Sequence, residues 1–168
     1  LAKHEQGAAF MAGGYARAGG RIAACIATAG PGATNLITGI ASAYADKLPV
    51  IAITGETPTS LFGKGGLQES SGEGGTIDQR MLFRGITRYH AIVERADYLP
   101  QILNQAARVV RSAHPGPVVL SLPFNVQNEE VEAALLDAVP GLGAVGGVRE
   151  DPGGSIRALR EWLYAARA

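Results

Sequence analysis

A glutamate opens the chain's most reactive-looking stretch. Glu5 lies in His4-Glu5-Gln6-Gly7-Ala8-Ala9, and Gly14-Tyr15-Ala16-Arg17 follows. A carboxyl group in the first turn of an Ala/Gly-rich helix can share a proton with a group brought against it. The small residues beside it let another surface approach closely. Taken alone, such a glutamate does no more than complement a helix dipole. The second constellation is Thr28-Ala29-Gly30-Pro31-Gly32-Ala33-Thr34-Asn35, a strand-to-helix turn. In a parallel sheet such turns lie at the carboxyl edge, where ligands bind. It lacks the GxGxxG spacing of a dinucleotide fingerprint. Gln68-Glu69, within a glycine-rich stretch, and Arg84 and Arg88, within 83–90, add further polar groups; each also reads as solvated loop or strand-flanking residues. His4 is a candidate for the rim of a site. His90 has no visible partner and reads as structural. Cys25, inside an apolar run, reads as inert core.

These residues need a scaffold. The spacing predicts a helix over 5–18, ended by Gly19-Gly20. Residues 21–28 form a short apolar run between glycines and predict a buried strand. A helix is expected over 33–46, a second strand over 49–54, and no regular element over 55–76. A third strand is expected over 86–93, an amphipathic helix over 98–113 and a last strand over 117–122. Short apolar strands alternating with helices imply an α/β fold, a parallel sheet flanked by helices on both faces.

The strings HEQGA, GYAR, TAGPGATN and PVIAITG, in this order, resemble the pyrimidine-binding domain of thiamine-diphosphate enzymes in the acetolactate synthase branch. The resemblance covers roughly residues 1–130. It implies that Glu5 hydrogen-bonds a ring nitrogen of the cofactor's aminopyrimidine, favouring the tautomer that deprotonates the thiazolium carbon. Burial beside the ring is expected to raise the glutamate's pKa. Gly30, Pro31, Gly32 and Asn35 then match the turn packed against the pyrimidine, and Gln68 matches a glutamine near the active site. Leu67 stands where the family carries phenylalanine, and 70–80 departs from its pattern, which opens substrate choice. Arg84 falls on an arginine that meets FAD in acetolactate synthases, which makes FAD an optional second cofactor. The family's magnesium motif is absent here, so Mg2+ ligands are expected on another domain and none in this chain.

The implied activity is a carboligase or decarboxylase acting on 2-keto acids. Two alternatives stay open. One is a thiamine-diphosphate lyase or carboligase for glyoxylate, a sulfonate, an oxalyl thioester or an aldehyde; the other is a non-catalytic binding module. The expected partner is the diphosphate-binding domain of a second subunit, in a homodimer or homotetramer.

Bulk properties narrow the field. Fifteen basic residues balance fifteen acidic ones, which argues against a nucleic-acid partner or an acidic membrane. No apolar run reaches membrane-spanning length. One cysteine cannot form an internal disulfide and fits a reducing, cytoplasmic setting. The chain opens on a helical pattern at Leu1, so a first strand is expected to be missing and the fragment alone to be inactive. Residues 1–135 read as the pyrimidine-binding domain, 136–154 as a Pro/Gly-rich linker, and 155–168 as the start of a central domain.

Overall fold

The computed structural model describes residues 1–131; the expected linker and following domain lie outside the described residues. Helix α1 (Glu5–Gly19) begins at His4, whose Nδ1 accepts the Gln6 N–H at 3.1 Å. It ends where Gly20 adopts a left-handed conformation, φ 58°. Strand β1 (Ala23–Ala27) follows.

The expected helix over 33–46 is two helices, and it starts earlier. Gly30 turns the chain with φ 56°, and Pro31, which needs no N–H partner, opens α2 (Pro31–Asn35). Leu36 separates it from α3 (Ile37–Ala45). Strand β2 (Val50–Glu56) runs on two residues past its expected end. A short helix, α4 (Gln79–Arg84), was not expected; Asp78 caps it by accepting the Met81 N–H at 3.0 Å. Strand β3 (Tyr89–Ile92) starts three residues late, because Ile86 N–H and the Thr87 hydroxyl both bond back to the Phe83 carbonyl. Helix α5 (Leu99–Val110) and strand β4 (Val118–Pro123) close the described fold.

The four strands pair in parallel in the order β1-β2-β4-β3, and an isolated antiparallel bridge joins Ser71 to Asp78. Alternation along β2 sends Val50 and Ala52 to one face and Ile51 and Ile53 to the other. The first face meets α1 and α3 through Ala9, Ala12, Ala16, Leu36 and Ile40. The second packs on α5 through Ala106 and Val110. Helices therefore cover both faces, as expected of a buried parallel sheet. A β-carbon on Gly39 of α3 would stand 2.4 Å from the Ala9 β-carbon and 3.1 Å from the Phe10 nitrogen. Backbone meets backbone there, which fixes α1, and with it Glu5, against the sheet. Among the described residues no helix is long and apolar enough to cross a membrane.

Candidate cofactor site

Glu5 is the first residue of α1, and Asn35 is the last of α2. Their meeting is the centre of the site: Asn35 Nδ2 donates to Glu5 Oε2 at 3.0 Å. Oε1 faces the Gly32 side, 3.5 Å from where a β-carbon on that glycine would stand. The same β-carbon would sit 2.7 Å from Thr28 Cγ2, so Gly32 must be bare for the turn to close. The Glu5 carboxyl is held below its usual range. Its own backbone N–H is the largest cause, the Asn35 amide the next, and nearby His4 adds to them. Desolvation pushes the carboxyl up, but with no ring against Glu5 these donors outweigh it.

The end of β2 presses on this turn: a β-carbon on Gly55 would lie 3.0 Å from the Ala29 nitrogen. From β2 the chain enters a glycine-rich loop that returns to the same place. Gly30 backs onto Gln68, so closely that a β-carbon on the glycine would stand 3.0 Å from the Gln68 carbonyl oxygen and 3.1 Å from Gln68 Cβ. Gln68 itself is left-handed, φ 59°, and its Oε1 lies 3.5 Å from Thr28 Oγ1. Glu5, Gly30, Pro31, Gly32, Asn35 and Gln68 thus converge at one corner of the sheet's carboxyl edge. Thr28 belongs with them and was not singled out from the sequence.

Arg84 does not join this cluster through any contact. It is exposed in the last turn of α4 and makes no hydrogen bond or ion pair with the described residues. Cys25 is buried and its thiol is pushed up to about 12 by that burial, which bears out the reading of inert core. Among the described residues no group of His, Cys, Asp and Glu is arranged to hold a metal ion.

Sequence reasoning missed a buried polar network beneath the loop. Glu56, 3% exposed, accepts the Thr57 N–H at 2.8 Å, the Ser70 N–H at 3.0 Å and the Ser70 hydroxyl at 2.6 Å. Ser70 Oγ lies 3.2 Å from Gln79 Oε1, and Gln79 Nε2 donates to Thr54 Oγ1 at 2.8 Å and to Ser121 Oγ at 2.5 Å. His90 Nε2 is 3.0 Å from Ser121 Oγ, while its buried Nδ1 has no hydrogen-bond partner among the described residues. The His90 ring is pushed down to about 4, first by burial and then by Arg80, with Asp78 opposing. Glu69, also buried, accepts from Gly63 N–H at 2.5 Å, Gly66 N–H at 2.9 Å and the Ser71 hydroxyl at 2.6 Å. The available signal was a serine, Ser121, inside the apolar run PVVLSL, since a buried hydroxyl must find partners.

Residues 1–74 match the family described as thiamine pyrophosphate enzyme, N-terminal TPP binding domain. A probable acetolactate synthase large subunit of Methanocaldococcus jannaschii is 44% identical over 132 residues, covering 79% of this chain and 21% of the relative. The acetolactate synthase isozyme 1 large subunit of Escherichia coli is 39% identical over 167 residues, 99% of this chain and 28% of the relative. The chloroplastic acetolactate synthase 1 of Zea mays is 40% identical over 129 residues, 77% of this chain and 19% of the relative. The chain thus spans about a fifth to a quarter of the curated relatives it matches. By its parallel α/β fold and these matches, the chain is similar to the N-terminal TPP binding domain of thiamine pyrophosphate enzymes and to acetolactate synthase large subunits.

Proposed function

We propose that this domain binds the aminopyrimidine of thiamine diphosphate and supplies the activating carboxyl, within a complete protein that acts on 2-keto acids as a carboligase or decarboxylase. The observation that carries the reading is the Glu5–Asn35 pair beside the bare Gly30–Gly32 turn. The residues suit the group. Glu5 offers a carboxyl oriented by an amide, and bare Gly30 and Gly32 let Gln68 and Thr28 close against the turn beside it. When bound, the cofactor supplies an electron sink for decarboxylation and for carbon–carbon bond formation.

Glu5 holds the proton shared with the ring nitrogen. The Asn35 amide keeps the carboxyl group turned toward the wall and favours its charged form. Docking an apolar ring against Glu5 strengthens the opposing push of desolvation and brings the carboxyl closer to proton sharing. Gln68, held over Gly30, is assigned to cofactor binding near the reacting centre. The choice between 2-keto acids and the alternative substrates turns on the loop around it, where Leu67 is 89% exposed. Mg2+ is assigned to ligands on the diphosphate-binding domain of a second subunit, and FAD, where present, to Arg84. Phe10, Met11 and Tyr15, exposed along α1 behind Glu5, support close docking of that second subunit in a homodimer or homotetramer. Activity is assigned to the complete protein and not to this chain alone, and its location to the cytoplasm.

The test is Glu5→Gln in the complete protein supplied with thiamine diphosphate and Mg2+. Hydrogen exchange at the thiazolium C2 is expected to slow by roughly 100-fold or more, in the range of a lost acid–base group. Exchange at the parent rate in a folded variant rejects the assignment of Glu5.

A further inference from the structure

We propose that Glu56, through Ser70 and with Gln79 behind it, is a positioning residue that fixes Gln68 over the Gly30–Gly32 turn. The catalytic half of this proposal rests on the function proposed above; the conformational half does not.

Gln68 occupies the left-handed region, φ 59°, where a residue with a β-carbon stays only if its surroundings hold it. One side of that hold is the turn itself, since the Gln68 backbone rests on Gly30. The other side is the segment just after Gln68. Ser70 gives both its backbone N–H and its hydroxyl to Glu56, at 3.0 and 2.6 Å. The shorter bond, from the hydroxyl to a carboxyl oxygen, is in the short range of O–H···O hydrogen bonds. At the start of α4 the Gln79 N–H donates to the Ser70 carbonyl at 3.0 Å, and Gln79 Nε2 donates to Thr54 of β2 and Ser121 of β4, tying Ser70 to both strands. Gly66, two residues before Gln68, lies so close to Thr57 that a β-carbon would be 2.5 Å from Thr57 Oγ1. The chain on either side of Gln68 is therefore pinned to the end of β2.

Stability alone gives a weak reason for Glu56. A carboxylate that is 3% exposed and has no ion pair among the described residues is an expensive way to fill a core position. What it supplies is direction: three donors, all from the loop or its root, oriented by one group at the end of a rigid strand. Held this way, Gln68 keeps its side chain beside Thr28 and next to the Glu5 corner.

The experiment uses the complete protein with Glu56→Ala, Gln68→Ala, their double variant, and the milder Ser70→Ala and Glu56→Gln. Backbone amide exchange, measured without substrate, is expected to speed up about ten-fold or more at 68–71 in Glu56→Ala, with α1 and β1 unchanged. Steady-state turnover of a 2-keto acid is expected to fall about ten-fold in Glu56→Ala and in Gln68→Ala, and the double variant is expected to be no worse than Gln68→Ala. Thiazolium C2 exchange, which reads Glu5, stays within about two-fold of the parent in Glu56→Ala and Ser70→Ala. Glu56→Gln, which keeps one acceptor oxygen, recovers part of the loss. Should Glu56→Ala fail to fold, Ser70→Ala carries the same comparison. Unchanged protection at 68–71 overturns the proposal, as do losses that multiply in the double variant, or C2 exchange that falls in step with turnover. A parent protein without C2 exchange rejects the thiamine reading instead, and amide exchange at 68–71 then decides the positioning role by itself.

Discussion

Asn35 reaches Glu5 from thirty residues away and supports its charged form beside the larger contribution of the Glu5 backbone N–H, which makes the pair separable by experiment. Replacing Asn35 with Ala removes one of the two leading causes of the lowered Glu5 pKa. The Glu5 carboxyl is expected to titrate at higher pH in Asn35→Ala, as read by carbon-13 NMR of labelled glutamate. No upward movement means that the backbone N–H alone fixes its charge. Gly32→Ala acts on the same corner by bulk. Its methyl group would press on Thr28 and approach Glu5. Affinity for thiamine diphosphate, measured by calorimetry in the complete protein, is expected to drop by ten-fold or more, equivalent to about 1.4 kcal/mol. The string around Glu5 was legible in the sequence. Its contact with Asn35 was not, because no local spacing reveals a partner thirty residues away.

At the scale of elements, the polar network makes the β2–β4–β3 edge sensitive to acid. His90 is neutral in the folded protein down to about pH 4, whereas an unfolded histidine takes up a proton near pH 6.5. The unfolded chain therefore binds more protons between these values, and stability falls as pH drops from about 6.5 toward 4. Glu5 and Glu69, with pKa values lowered in the fold, extend the loss further as pH falls through the carboxylate range. Urea unfolding across pH 4–7 is expected to show this slope in the parent and a shallower one in His90→Gln. An equal slope in both rejects His90 as its source. The α1–α3 contact makes a second demand: Gly39→Ala forces a methyl group into Ala9 and is expected to cost about 1–3 kcal/mol. Strands β1 and β2 were readable from sequence because burial on both faces makes them continuous apolar runs. Helix α4 was not, because six residues hold less than two turns and show no period. The break at Leu36 was hidden because α2 and α3 share one apolar stripe across it.

Among the described residues the candidate site lies at one edge of a two-sided sheet, and an exposed apolar stripe on α1 lies next to it. Phe10, Met11 and Tyr15 are 45%, 61% and 54% exposed. If a second subunit covers them, Met11→Lys together with Tyr15→Lys is expected to shift the complete protein toward monomer in sedimentation velocity, with its far-UV circular dichroism retained. Unaltered sedimentation places the contact elsewhere. The layering of helices on both faces was foreseeable from the alternation of elements. The strand order was not, because nothing local says that β4 goes between β2 and β3.

That insertion has a consequence for the protein during its synthesis. Strand β2 leaves the ribosome long before the neighbour that will cover its inner edge; 67 residues separate Thr54 from its partner Ser121. At about 5–20 residues per second, the edge stays open for roughly 3–13 seconds of translation. Val50–Thr54 is apolar, β-prone and uncharged during that interval, the profile of a segment that pairs with other nascent chains. Chaperone capture, or slowed aggregation when translation of 57–117 is hastened by codon choice, is thus written into the order in which the strands emerge.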